Sequence, residues 1–192
     1  MNYKLFFNPF ERYQERFLLS LGLVALCVGS GLAYLFNARF DGVLDLHFVA
    51  HIEVWHPFVD NLINILCLLI CLGALSLLIN KRTRIVDVLA VSLIARIPYY
   101  PFSLFNVNDF MVNMSEEILK DPTAIMSGGI VIPQLLILLV FSGLSLLAIV
   151  WQLVLLYKGI KVASNGKGVK FTLLFVLAII ASEILSKLLI NY

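Results

Sequence analysis

The sequence is poor in charged residues, and this scarcity already limits the class of protein. Only 14% of its 192 residues are Asp, Glu, Lys or Arg, whereas 61% are hydrophobic, and the mean hydropathy is +0.97. Soluble domains carry about a quarter charged residues, because these cover the surface that faces water. A water-soluble fold is therefore excluded, and lipid must cover the excess apolar surface.

Cysteine is also scarce, and the basic residues form no stripe. Cys27, Cys67 and Cys71 all fall within apolar runs, and an odd number of buried thiols does not make a disulfide framework. The net charge is only +2, with no basic surface interleaved with stacking aromatics, which argues against nucleic-acid binding. Neither a Gly-rich phosphate-binding motif nor a Gly-x-Ser-x-Gly motif is present. We therefore predict a protein that is not an enzyme and holds no cofactor.

Five long apolar runs dominate the chain. Each is close to the roughly 20 residues that a helix needs to cross the hydrocarbon core of a bilayer. The runs are continuous rather than alternating, so they do not fit the strands of a membrane barrel. The sequence predicts an all-α polytopic membrane protein, a single domain over 1–192, with transmembrane spans at 17–37, 58–79, 85–105, 130–157 and 171–190.

Two local features modify this pattern. Arg96, Pro98 and Pro101 interrupt the third span, and the two prolines are expected to kink it. Ahead of the first span, a proline follows Asn8, which is typical of a capped helix start. Because aromatic residues surround this start, we predict an interfacial helix over 8–16.

The basic residues predict the topology of the bundle. Cytoplasmic connections of membrane proteins carry an excess of Lys and Arg. The outer loops and the C-terminus hold only Arg39 and Lys120. Ten basic residues lie on the other side, which predicts a cytoplasmic N-terminus and an outer C-terminus: Lys4, Arg12, Arg16, Lys81, Arg82, Arg84, Lys158, Lys161, Lys167 and Lys170.

Charged residues inside spans are costly and suggest a role. Arg96 and Glu183 each lie about 12 residues from the inner end of their span, which is a depth of about 18 Å. Equal depth predicts an ion pair between the two helices. Alternatively, Arg96 extends outward to water while Glu183 pairs with Lys187 one turn along the same helix.

Other polar residues lie in the outer halves of the second and third spans. With the charged residues they predict a polar pocket that opens outward, whereas hydrogen-bonded helix packing is the alternative. The members of this predicted intramembrane polar cluster are Arg96, Glu183, Lys187, Asp60, Asn61, Asn64, Tyr99 and Tyr100.

The first outer loop contains all the histidines of the chain. His and carboxylate side chains are the usual ligands of zinc, although the spacing matches no known zinc-protease motif. The alternative is an amphipathic segment that dips Phe48, Ile52 and Trp55 into lipid. The candidate metal ligands are His47, His51, Glu53 and His56.

Three stretches carry a resemblance to a known family. They are NPFER at 8–12, RIP at 96–98, and the region 151–187, which contains YKGIK, GKG and ASEILSK. With the five spans, they resemble the short bacterial members of the Yip domain family, the Ypt/Rab-GTPase-interacting proteins. The resemblance implies five membrane helices, a cytoplasmic N-terminus, a place in the bacterial inner membrane, and association with other membrane proteins.

The resemblance does not extend to GTPase binding, which is a property of the family's eukaryotic members. These members bind Rab GTPases and have a longer cytoplasmic N-terminal region with an acidic-Leu-Tyr-Gly-Pro motif. This chain has only about 16 residues before its first span and lacks that motif. The expected partners are therefore membrane lipids, other membrane proteins or a second copy of the chain, and not a GTPase.

Three functions follow from these features. The first is a non-enzymatic scaffold or adaptor, in which Gly22, Gly29, Gly31 and Gly143 seat partner helices. The second is a transporter or lipid-handling protein that uses the charged cluster around Arg96. The third is a metal-dependent membrane enzyme built on the first-loop histidines. The sequence favours the scaffold.

Overall fold

The structure, a computed structural model, describes residues 6–120 and 132–190, and it is 81% helical. A single 3-10 turn (Pro9–Glu11) precedes the first α-helix, and a longer 3-10 segment (Ile97–Asp109) separates two others. The α-helices are α1 (Glu15–Leu35), α2 (Trp55–Ile79), α3 (Ile85–Ala95), α4 (Phe110–Lys120), α5 (Ile132–Ser164) and α6 (Gly168–Leu189). Strands β1 (Ala38–Arg39) and β2 (His47–Phe48) form a small antiparallel ribbon.

Five helical segments are long and apolar enough to cross a membrane. They are α1, α2, the segment Ile85–Lys120 that joins α3 to α4, α5 and α6. The all-α bundle of five spans predicted from the sequence is therefore confirmed. The predicted start of the fourth span, near residue 130, lies outside the described residues, and α5 ends at Ser164 rather than at 157.

The third span changes its helix type where the sequence places two prolines. The α-helix ends at Ala95, and the chain continues from Ile97 as a 3-10 segment that contains Pro98 and Pro101. Proline has no backbone N–H, so it cannot continue the α-helical hydrogen-bond ladder. Arg96 lies at this junction, which places its side chain among the other spans instead of on a regular helix face.

The N-terminal segment differs from the sequence prediction. The helix expected over 8–16 is only the 3-10 turn Pro9–Glu11, and the Asn8 side chain makes no capping hydrogen bond. Contacts with α5 explain the difference: the Phe6 ring stacks on Trp151 at 4.0 Å, and the Trp151 indole N–H donates to the Phe6 carbonyl (3.2 Å). These contacts hold the segment against the bundle.

Two glycines of α1 pack against another span of the same chain. A Cβ at Gly22 would lie 2.6 Å from the Leu93 Cβ, and one at Gly29 would lie 2.2 Å from the Tyr100 ring. Both positions therefore bring α1 close to the third span and do not face a partner helix. At Gly31 and Gly143, in contrast, an added Cβ would meet nothing within 4 Å.

Residues 40–46 connect β1 to β2 and enter the bundle; we call them the inserted loop. Phe40 and Val43 of this loop are completely buried. Val43 packs in the main apolar core with residues such as Leu68 of α2 and Leu155 of α5. The interfacial segment considered from the sequence is also partly buried in protein, since Ile52 is buried. The loop between α1 and α2 therefore belongs to the core.

Candidate functional site

The inserted loop places irregular backbone deep between membrane spans. Such backbone has no helical hydrogen bonds, and an unsatisfied N–H or C=O group in an apolar environment costs several kcal/mol. The loop therefore needs polar partners from its surroundings. The side chains that supply them come from α2, from the third span, from α5 and from α6.

Arg96 is the centre of this network. The exposed fraction of Arg96 is 0%, so the residue is completely buried. Its guanidinium donates from Nη1 to the Val43 carbonyl (3.0 Å), and from Nη2 (3.0 Å) and Nε (3.2 Å) to Oδ1 of Asn61. The same group lies 5.5 Å from the centre of the Phe40 ring. Three hydrogen bonds and one aromatic face thus compensate the burial of this charge.

Glu183 binds the other side of the same peptide group. The N–H of Leu44 donates to Glu183 Oε2 (2.8 Å), while the Val43 carbonyl of that peptide accepts from Arg96. In a trans peptide these two groups point in opposite directions. The direct ion pair predicted from equal depth is not found among the described side chains: a loop peptide lies between the two charges and is polarised by both.

Further side chains complete the hydrogen bonds of the loop. The Asn64 amide donates to the Phe40 carbonyl (2.6 Å), and the Tyr99 hydroxyl donates to the Leu44 carbonyl (2.5 Å). Val43 makes two more hydrogen bonds. Its carbonyl accepts from the Gln152 side-chain amide (2.9 Å), and the backbone N–H of Val43 donates to Ser186 Oγ (3.3 Å). The inserted loop is therefore held by hydrogen bonds from several spans at once.

Ion pairs hold the two ends of the loop. Arg39, just before it, contacts both carboxylate oxygens of Asp60 at 2.7 and 2.9 Å, and these hydrogen bonds raise the pKa of Arg39. At the other end, Lys187 lies 2.5 Å from Asp45 and 3.6 Å from Glu183. Lys187 thus joins the loop to α6. The contact between Glu183 and Lys187 matches the alternative pairing that their one-turn spacing predicted from the sequence.

The residues of the predicted polar cluster all lie around the inserted loop. Asn61 reaches it through Arg96 and also donates to Ser30 Oγ (2.9 Å). Tyr100 packs its ring edge-on against Phe40 with a centroid distance of 5.7 Å. The space predicted to be an outward-opening pocket is therefore filled by the chain itself. Sequence reasoning missed Gln152 and Ser186; a lone amide in the apolar run of α5 was the available signal for the first.

The first-loop histidines are not gathered into a metal site. His47 Nδ1 lies 3.1 Å from Asp41 Oδ2, His56 Nδ1 accepts from the Glu53 N–H (3.2 Å), and His51 is exposed. Within residues 6–120 and 132–190, no three His, Cys, Asp or Glu side chains come together to hold a metal ion. The ribbon separates these groups because it directs His47 toward the inserted loop.

We expect Glu183→Leu to lower the free energy of unfolding by about 1–3 kcal/mol, because it leaves the partly buried Leu44 N–H without an acceptor. Glu183→Gln keeps an acceptor oxygen, and its cost is expected to be below about 1 kcal/mol. Denaturant titration in detergent micelles measures both values. Equal stability of the two variants would show that the Leu44 hydrogen bond contributes nothing.

These features define the class of the chain: it is a multi-pass membrane protein, a helical bundle with an inserted loop held by buried polar side chains. Comparisons with protein-family models, with curated proteins and with solved structures found no match. The resemblance to the Yip family, noted from the sequence, therefore stays a prediction.

Proposed function

We propose that this chain is a non-enzymatic scaffold or adaptor that organises other membrane proteins or lipids. We place it in the bacterial inner membrane, with a cytoplasmic N-terminus and an outer C-terminus. The asymmetry of Lys and Arg supports this orientation, since the basic connections between α2 and α3 and between α5 and α6 lie at one end of the bundle. The resemblance to short bacterial Yip proteins supports the role.

The way the chain uses its intramembrane charges favours this proposal over transport. A transported solute needs a site that it can enter and leave. Arg96 is enclosed by Asn61, Val43 and Phe40, and the loop fills the space beside it. The charges stabilise a fixed structure, which suits a protein that presents a constant surface to its partners.

The observation that carries the proposal is an open face on α5. This helix has 33 residues, so it is about 50 Å long and exceeds the roughly 30 Å of hydrocarbon. Its outer half is held to the bundle by Phe141, which packs against the rings of Phe105 (5.1 Å) and Phe48 (5.9 Å). On the opposite side of that half, a Cβ added at Gly143 would meet no atom of the described chain within 4 Å.

The residues on this open face fit close helix packing. Leu139, Gly143 and Leu147 follow each other at intervals of four, so they lie on one side of the helix. Both leucines are exposed, and the glycine between them leaves room for the backbone of a partner helix. Small residues at such positions let membrane helices approach closely. We propose that partner helices bind here.

Site-specific crosslinking in intact membranes tests this proposal. A photoreactive residue at Leu147 is expected to give a crosslinked partner or dimer, because Leu147 lies on the open face. Leu177 of α6 is the matched control, since the two leucines are 66% and 62% exposed. Gly143→Leu is expected to reduce the crosslink about tenfold, equal to about 1.4 kcal/mol, without loss of folding. Monomer alone at both positions would count decisively against the scaffold.

A further inference from the structure

A cavity of about 370 Å³ opens at the end of the bundle opposite the inserted loop. It lies where α1 and α3 begin and where α5 ends, and Glu15, Asp87 and Ala163 belong to its lining. Its volume falls within the range of small-molecule sites in proteins. By the proposed topology this end faces the inner leaflet.

The charges at this cavity do not cancel. Arg84 lies just before α3 and binds Glu15 through two contacts, from Nη1 to Oε2 (2.5 Å) and from Nη2 to Oε1 (2.6 Å). Asp87 lies beside this pair, close enough to interact with both partners. Among the side chains that line the cavity, one arginine and two carboxylates leave one negative charge. The Asp87 carboxylate is partly buried, so water solvates its charge incompletely. The binding of a cation beside it is therefore favourable.

The same cavity offers two further kinds of contact. The Arg84 side chain is 58% exposed, so the guanidinium N–H groups that do not contact Glu15 can donate to the phosphate of a ligand. Phe10 and Leu18 supply apolar lining. The cavity therefore combines an acceptor for a cation, a donor for an anion and an apolar wall within one space at the membrane boundary.

We propose that this cavity binds a phospholipid whose headgroup carries a primary ammonium, such as an ethanolamine phospholipid. Its ammonium donates to Asp87 and Glu15, its phosphate accepts from Arg84, and its acyl chains continue along the apolar wall. A primary ammonium has N–H donors for two carboxylates, whereas the quaternary ammonium of choline has none. An anionic headgroup without an amine brings no cation to Asp87 and adds a further negative charge beside it. This site does not depend on the proposed scaffold function.

Native mass spectrometry of the full chain in detergent tests the site, with ethanolamine, choline and glycerol phospholipids that have identical acyl chains. We expect the ethanolamine lipid to bind at least about tenfold more tightly than the other two, since it alone can donate charged hydrogen bonds to the carboxylates. Phosphoethanolamine, which has no acyl chains, is added as competitor. Its competition shows that the headgroup alone is recognised, and its failure to compete assigns the affinity to the intact lipid.

Two variants and a control make the test specific. Asp87→Asn is expected to remove most of the tenfold preference for the ethanolamine lipid, and Ala163→Leu is expected to fill the cavity and weaken its binding at least tenfold. Glu11→Gln is the control, because Glu11 lies at the same end of the bundle but lines a neighbouring cavity. Equal binding of all three lipids to the wild type, or an unchanged preference in Asp87→Asn, would overturn the proposal. Thermal unfolding of each variant confirms that it folds.

Discussion

Arg96→Ala is expected to lower the free energy of unfolding by about 3–5 kcal/mol. The substitution removes three hydrogen bonds from a charged donor and leaves the buried Asn61 oxygen without those partners. It also opens a cavity beside Phe40, at a point where the core is completely buried. Unfolding in mixed detergent micelles, followed by helical circular dichroism, measures the loss.

Two further variants show whether this effect arises from the geometry of the guanidinium. Arg96→Lys is expected to recover only part of the stability, because an ammonium cannot donate to Asn61 and Val43 as a planar fork. Arg82→Ala is the control: Arg82 is exposed in the connection between α2 and α3, and such surface changes usually stay within about 0.5 kcal/mol. If Arg96→Ala matched Arg82→Ala, the inserted loop would not depend on Arg96.

Gly29→Ala is expected to destabilise the protein by about 1–3 kcal/mol through overpacking. The new methyl group would lie 2.2–2.7 Å from atoms of the Tyr100 ring, far inside van der Waals contact. The ring has little freedom to move away, since Tyr100 is only 4% exposed and packs against Phe40. A displacement of Tyr100 therefore reaches the inserted loop. The same unfolding measurement gives the size of the effect.

Gly31→Ala provides a matched control on the same helix. An added Cβ meets nothing within 4 Å there, so the substitution is expected to be neutral or to stabilise α1 by up to about 1 kcal/mol. The double variant Gly29→Ala, Tyr100→Leu is expected to recover part of the loss, because leucine removes the ring that clashes. Equal stabilities of Gly29→Ala and Gly31→Ala would contradict the close approach of α1 to the third span.

The number of spans could be predicted from the sequence because lipid imposes a simple requirement. Each crossing needs a continuous apolar run of a certain length, and this requirement acts on neighbouring residues. The break in the third span was equally local, since Pro98 and Pro101 lack the N–H groups that an α-helix needs. The helix over 8–16 was predicted wrongly because the Phe6 contact with Trp151, far along the chain, competes with local helix signals.

The polar cluster was found because charges and amides are conspicuous inside apolar runs. Depth along the spans placed Arg96 and Glu183 at one level, but depth is a single coordinate and does not reveal what lies between two helices. The group between them is a peptide of the inserted loop, and Leu44 is 139 residues from Glu183. Strands of two residues are also too short to predict from a pattern.

By itself, the sequence determined that this chain is a five-span membrane protein with a polar cluster in its interior, because transfer free energies depend on the composition of each segment. Only the tertiary structure decided what the cluster does: its side chains hold a loop that enters the bundle. That outcome depends on satisfying the backbone groups of residues 40–46 with partners from four spans, and such long-range hydrogen bonds are specified by packing in three dimensions.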